Sequence, residues 1–188
     1  MSTITRTCFT VLGLITLAAC ASPWIKAGEH SVAGLNLRTP VGWTAQSQNG
    51  RHLWTRDGVL LNALHIVVDL APSQPVFGVG KTVAKNEGTR FRTGMGPIEI
   101  QELIVEAMAA AGMRNVKTIE TQPARLQGRA GIRSELSLDS STGLRYRAIL
   151  LAEGEDNSLS LLLFVAPAEF YFERDRALIE GIFESAAK

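Results

Sequence analysis

Cys20 has the clearest chemical potential in this sequence, because it follows Leu17-Ala18-Ala19 at the end of an uncharged apolar run. A thiolate is a strong nucleophile, and small residues beside it leave room for an enzyme to act on it. Other groups able to do chemistry are sparse. The three histidines, His30, His52 and His65, stand at neither helical nor hairpin spacing from a second metal ligand. His65 and Asp69 share a strand face by spacing, but an isolated pair is more often a polar residue on a partly exposed strand than a site. Gly78-Val79-Gly80-Lys81-Thr82 ends in the Gly-Lys-Thr of a phosphate loop, yet Pro75 stands where that loop needs its first glycine. Ser134, Ser137 and Ser160 lack the turn context of an activated nucleophile. Glu99, Glu102 and Glu106 read as the solvated face of a helix. The expectation is a protein without catalysis, metal or cofactor.

Two stretches offer binding rather than chemistry. In the first, Lys81, Lys85, Arg90 and Arg92 alternate with Phe91, Met95 and glycines. Cations there can engage carboxylates or phosphates while Phe91 and Met95 give apolar contact. In the second, Arg133 and Glu135 on one strand and Arg145 and Arg147 on the next form a polar sheet patch. That patch is either cross-strand charge pairing or a surface for a partner.

The elements that must position these groups follow from periodicity. Residues 33–38 alternate around Leu35 and Leu37, and Thr39 to Trp43 turns the chain into a first hairpin. Residues 51–55 and 59–68 flank Arg56-Asp57-Gly58, a hairpin signal, and the second run is apolar on both faces, as a central strand must be. Residues 69–93 read as a long connection. Gly96-Pro97 opens a helix whose apolar stripe is Ile100, Leu103, Ile104, Ala107, Met108 and Ala111, ending at Gly112. A strand is expected over 116–121. Residues 130–139, 144–153 and 158–166 then predict three strands of an antiparallel meander, with Arg145 and Arg147 outward. A terminal helix over 172–186 turns Leu178, Ile179, Ile182 and Phe183 toward the sheet.

The segment around Cys20 resembles the lipobox of bacterial lipoproteins. Arg6 supplies a positive start, residues 8–19 are apolar, and Ser22-Pro23 breaks any helix beyond the cut. The run falls short of the roughly 20 residues needed to span a bilayer. The resemblance implies that residues 1–19 are a signal peptide and that Cys20 takes a diacylglyceryl group, leaving 20–30 as a lipidated tether and 31–188 as one globular domain. The residues after Cys20 are Ala21 and Ser22, not the aspartate tied to inner-membrane retention, so the implied location is the outer membrane facing the periplasm. Of nineteen Lys and Arg, only Arg6 lies in the signal, so eighteen remain against eighteen acids. That balance argues against nucleic acid as a partner. The only other thiol, Cys8, leaves with the signal, so no disulfide forms.

A Pro-Val-Gly-Trp turn at 40–43, a central helix, Arg129-Ala130-Gly131 before the meander, Ala166-Pro167 at its exit and Ile179-Glu180-Gly181-Ile182-Phe183-Glu184-Ser185 in the last helix resemble the PsbP-like fold. The resemblance implies an α+β domain, an antiparallel sheet between helices as an α/β/α sandwich, working as a binding or assembly module. It carries no shared active-site residue. The leading expectation is therefore a lipid-anchored envelope module that binds an envelope protein or cell-wall partner. The alternative is a periplasmic carrier of a small apolar or anionic ligand, and an envelope enzyme comes third.

Overall fold

The computed structural model describes residues 23–48, 50–77, 89–155 and 157–188. It is dominated by an antiparallel sheet of eight strands in the order β1-β4-β5-β6-β10-β9-β8-β7. These are β1 Trp24–Ile25, β4 Trp43–Gln48, β5 Arg51–Thr55, β6 Ala63–Leu70, β7 Arg114–Leu126, β8 Arg129–Asp139, β9 Arg145–Glu155 and β10 Ser158–Pro167. A separate hairpin joins β2 Gly28–Val32 to β3 Leu35–Thr39. Helix α1 spans Pro97–Ala110 and α2 spans Glu173–Ala186, the latter preceded by a π-helical turn over Ala168–Phe172. The expected α+β class, an antiparallel sheet flanked by helices, is what forms.

Both sheet faces are buried, and the period of two along each strand sorts its residues between them. Leu136, Leu138, Tyr146, Ala148, Leu150, Leu161 and Leu163 pack with Ile100, Leu103, Ile104, Ala107 and Met108 of α1. Ile149, Leu151, Leu162, Phe164 and Ala166 pack on the other face with Ile179, Ile182 and Phe183 of α2 and with Leu35 and Leu37 of β3. A helix on each face explains why β9 and β10 are apolar at nearly every position.

Local chemistry sets the ends of these elements. In α1, Pro97 stands in the first turn, and the Glu99 carboxylate accepts from the Gly96 amide at 2.8 Å, satisfying a donor the helix leaves open. Glu99, Glu102 and Glu106 are exposed, as expected. The β7–β8 turn consists of Gln127 and Gly128, both at positive φ, and their amides donate to the carbonyls of Ala186 and Ala187. One turn thus reverses the chain and ends α2.

Four differences from the sequence reading have physical causes. Where a tether was expected over 20–30, Trp24–Ile25 pairs with Trp43 and Thr44, and Gly28–Val32 with β3. Strand β3 pairs with β2, not with β4, so the turn at 40–43 is a crossing between sheets. Asp57-Gly58 is no tight hairpin either. The Asn62 side chain accepts from the Thr55 hydroxyl and from the amides of Arg56 and Asp57, holding 56–62 as a longer loop, and β6 begins at Ala63. Finally, β7 runs past the expected 116–121 to Leu126, carrying Pro123 on the sheet's outer edge.

Candidate functional site

A cavity of about 180 Å³ lies between the sheet and the C-terminal end of α1. Its floor is Ala63 and His65 of β6, Leu163 and Val165 of β10 and Tyr146 of β9, all pointing to the α1 face. Met108, Ala111 and Met113 form one wall and Phe77 another, and Val59 and Leu60 of the β5–β6 loop stand at the mouth. The cavity reaches the surface there, since both loop residues are exposed. Among the described residues, apolar groups make up nearly all of the lining, with no carboxylate or lysine.

Among the described residues two titratable groups line the cavity. The Tyr146 hydroxyl donates to the Leu60 carbonyl at 2.9 Å, tying the mouth loop to β9, and desolvation raises its pKa. His65 packs its ring against Phe77, with centroids 5.8 Å apart, and makes no hydrogen bond among the described residues. Desolvation pushes its pKa down to about 4, so the imidazole is neutral at pH 7. A neutral ring inside an apolar wall, its nitrogens unpartnered among the described residues, gives a ligand one polar contact and no charge. In size the cavity takes a single ring or a short branched chain, or the end of a longer one.

The expected sheet patch meets α2 instead of water. Glu135 is buried and pairs with Arg147 and with Arg176 of α2. Arg133 pairs with Glu180 of α2, and Arg147 also reaches Glu173 at 3.1 Å and lies over the Phe172 ring. These three patch residues are a seam between sheet and helix, which corrects the reading of Arg147 as outward. Arg145 alone is exposed. A related cluster fixes the start of α2. Asp175, fully buried, accepts from Arg56 at 2.8 Å, Asn62 at 2.9 Å and Arg174. Arg174 also holds Asp57, lowering that carboxyl's pKa chiefly through their hydrogen bond. Every acid here is matched by an arginine, so the cluster offers a ligand no vacant charge.

The basic loop divides. Lys81 and Lys85 lie outside the described residues, as do Gly78–Thr82 and Cys20. Phe91 is fully buried beside Val76 and Ile100, which removes it as an exposed contact. Arg90 donates to the Ser73 carbonyl at 2.6 Å, Pro75 bridges to Arg90, and the Met95 sulfur accepts from the Arg92 amide. Arg90, Arg92 and Met95 thus close the base of the connection.

Among the described residues no group of three or more His, Cys, Asp or Glu could hold a metal, and no helix is long and apolar enough to cross a membrane. Of the cavity residues, His65 is the one the sequence reading weighs as a candidate site group, for metal binding, while Met108 and Ala111 enter it only as part of the α1 stripe. The signal that could have found them was the exposed pair Val59-Leu60 in a loop rather than in a strand. Comparison of the chain with protein-family models and with curated protein sequences finds no match to either.

Proposed function

We propose that this protein is a lipid-anchored module of the bacterial cell envelope that binds a small apolar ligand between its sheet and α1. The observation that carries the reading is the apolar cavity of about 180 Å³, open to the surface and containing one uncharged histidine. It moves the carrier alternative ahead of a module that only docks a protein or cell-wall partner. A helix on each face of one antiparallel sheet supports the resemblance to the PsbP-like fold, whose members bind without chemistry of their own. The lipobox-like Leu17-Ala18-Ala19-Cys20 supports anchoring through diacylated Cys20, with Ala21 and Ser22 favouring the outer membrane. Catalysis is not part of the proposal, because among the described residues His65, the cavity's unengaged titratable group, has no nucleophile or acid partner beside it.

The test is ligand-observed NMR with toluene and with hexanol on the full chain in lipid nanodiscs. Exposed Ala111 lines the cavity, so Ala111→Phe plugs it without entering the core. Saturation transfer to the probe should fall at least several-fold in Ala111→Phe. Equal transfer in wild type and variant would remove the cavity as the binding site and with it the carrier reading.

A further inference from the structure

We infer that one end of the eight-stranded sheet rests on the lipid bilayer, with the cavity mouth facing the acyl region. The inference rests on the proposed anchor at Cys20. The strand registers define this end: Ile25 pairs with Trp43, Thr44 with Thr55, Trp54 with Leu64, Ala63 with Val165, Tyr146 with Pro167, and Arg145 and Arg114 both with Asp139. Here stand Trp24, Val59, Leu60, Leu144 and Phe170, five of the seven large apolar residues exposed among those described. Leu60 is 75 % exposed and Trp24 63 %. The others, Ile98 and Ile119, lie at the start of α1 and along β7. The five are strung across the sheet from its first strand to its seventh, a width of roughly 30 Å at about 4.8 Å per strand. The Trp24 indole lies over Gly42 at the same end, where any Cβ would overlap it. A tryptophan with one face on protein and one open suits the water–lipid boundary.

The chain upstream makes a bilayer the occupant. Two residues separate Cys20 from Pro23, whose carbonyl accepts from the Ala45 amide at 2.9 Å, so a lipid on Cys20 sits within roughly 14 Å of Trp24 at the start of β1. That reach allows either end of the sheet to touch the membrane. Composition chooses between them, because the far end presents Gln46, Ser47, Gln48, Arg125 and Glu155 to solvent. Charge at the apolar end is mixed and mostly paired. Arg56 and Arg174 face Asp57 and Asp175, while Arg114 and Arg145, neither ion-paired among the described residues, both register with Asp139, and exposed Lys26 follows Ile25. Contact is therefore through apolar insertion at headgroup depth, on a surface that need not be anionic. The residues at the cavity mouth, Val59 and Leu60, belong to this end, so an apolar ligand passes between bilayer and cavity without crossing water.

The experiment places a nitroxide at Leu60→Cys, at Phe170→Cys and, as the far-end control, at Gln48→Cys, in the full chain matured in a lipidating host. Each protein is reconstituted in phosphatidylethanolamine–phosphatidylglycerol vesicles, and collisions with oxygen are compared with collisions with a water-soluble nickel complex. The oxygen-to-nickel ratio should be several-fold higher at 60 and 170 than at 48. Equal ratios, a higher ratio at 48, or labels at 60 and 170 shielded from both reagents, as under a protein partner, would overturn the inference. Mass spectrometry of the wild-type protein reads the anchor separately. A lipidated chain with labels 60 and 170 in water refutes the surface and leaves the anchor. An unlipidated chain with both labels in lipid keeps the surface and refutes the anchor.

Discussion

His65→Leu should change how stability depends on pH far more than it changes stability at pH 7. In the folded protein the imidazole pKa is lowered from 6.5 to about 4 by desolvation, whereas the unfolded chain restores the ordinary value. Between those two pH values the unfolded state binds the extra proton, so stability falls as pH is lowered through that window and is unaffected by His65 above it. At about 1.36 kcal/mol per pH unit the full gap corresponds to roughly 3 kcal/mol, and water entering through the open mouth reduces this, so a loss of about 1–3 kcal/mol is expected. No carboxylate among the described residues lines the cavity to hold the charged ring, and Tyr146 titrates well above the window. His52, whose pKa desolvation also lowers, is present in both proteins and cancels in the comparison. The assay is urea unfolding at pH 7.5, 6, 5 and 4.5. Wild type should lose stability relative to His65→Leu progressively below pH 6.5. Parallel pH profiles would show that His65 is hydrated in the fold, and the description of the cavity as apolar would fail with them.

Asp175→Ala leaves buried Asn62 and two arginines without their shared acceptor and should cost about 3–5 kcal/mol in urea unfolding; a cost below about 1 kcal/mol would mean the cluster does not hold α2 to the β5–β6 loop. Gly131→Ala places a methyl group against the Ala152 carbonyl across the β8–β9 pair and should destabilise by about 1–3 kcal/mol, read as a lower thermal midpoint; an unchanged midpoint would argue against that close pairing. Cys20→Ser removes the thiol of the lipobox-like pattern, and a serine hydroxyl cannot replace it as nucleophile because it is not deprotonated near neutral pH. It should abolish fatty-acid incorporation while leaving the unfolding curve of the domain unchanged, and continued incorporation would place the lipid elsewhere.

What the sequence determined by itself is local. The stripe from Ile100 to Met108 dictated α1 and its buried face, because apolar side chains at helical spacing can leave water only together. The apolar patterns of 130–139, 144–153 and 158–166, with polar turns between them, dictated strands β8 to β10, since turn chemistry and period two are properties of neighbouring residues. The Leu-Ala-Ala-Cys pattern needs no fold to be read.

Tertiary structure decided what covers each face. An alternating strand shows that Arg133, Glu135 and Arg147 share a face, but period two is the same whether that face meets water or a helix. Only the packing of α2, whose Arg176 and Glu180 arrive from over 40 positions away, makes the patch a buried seam. The pairing of Trp24–Ile25 with β4 was illegible for a similar reason, since two residues carry no period and a partner strand alone gives them one. The cavity draws residues from β6, β9, β10, the end of α1 and two loops, so no window of sequence contains it. The apolar end of the sheet likewise exists only through strand register, which sets Trp24, Leu60, Leu144 and Phe170 side by side although 146 positions separate the first from the last.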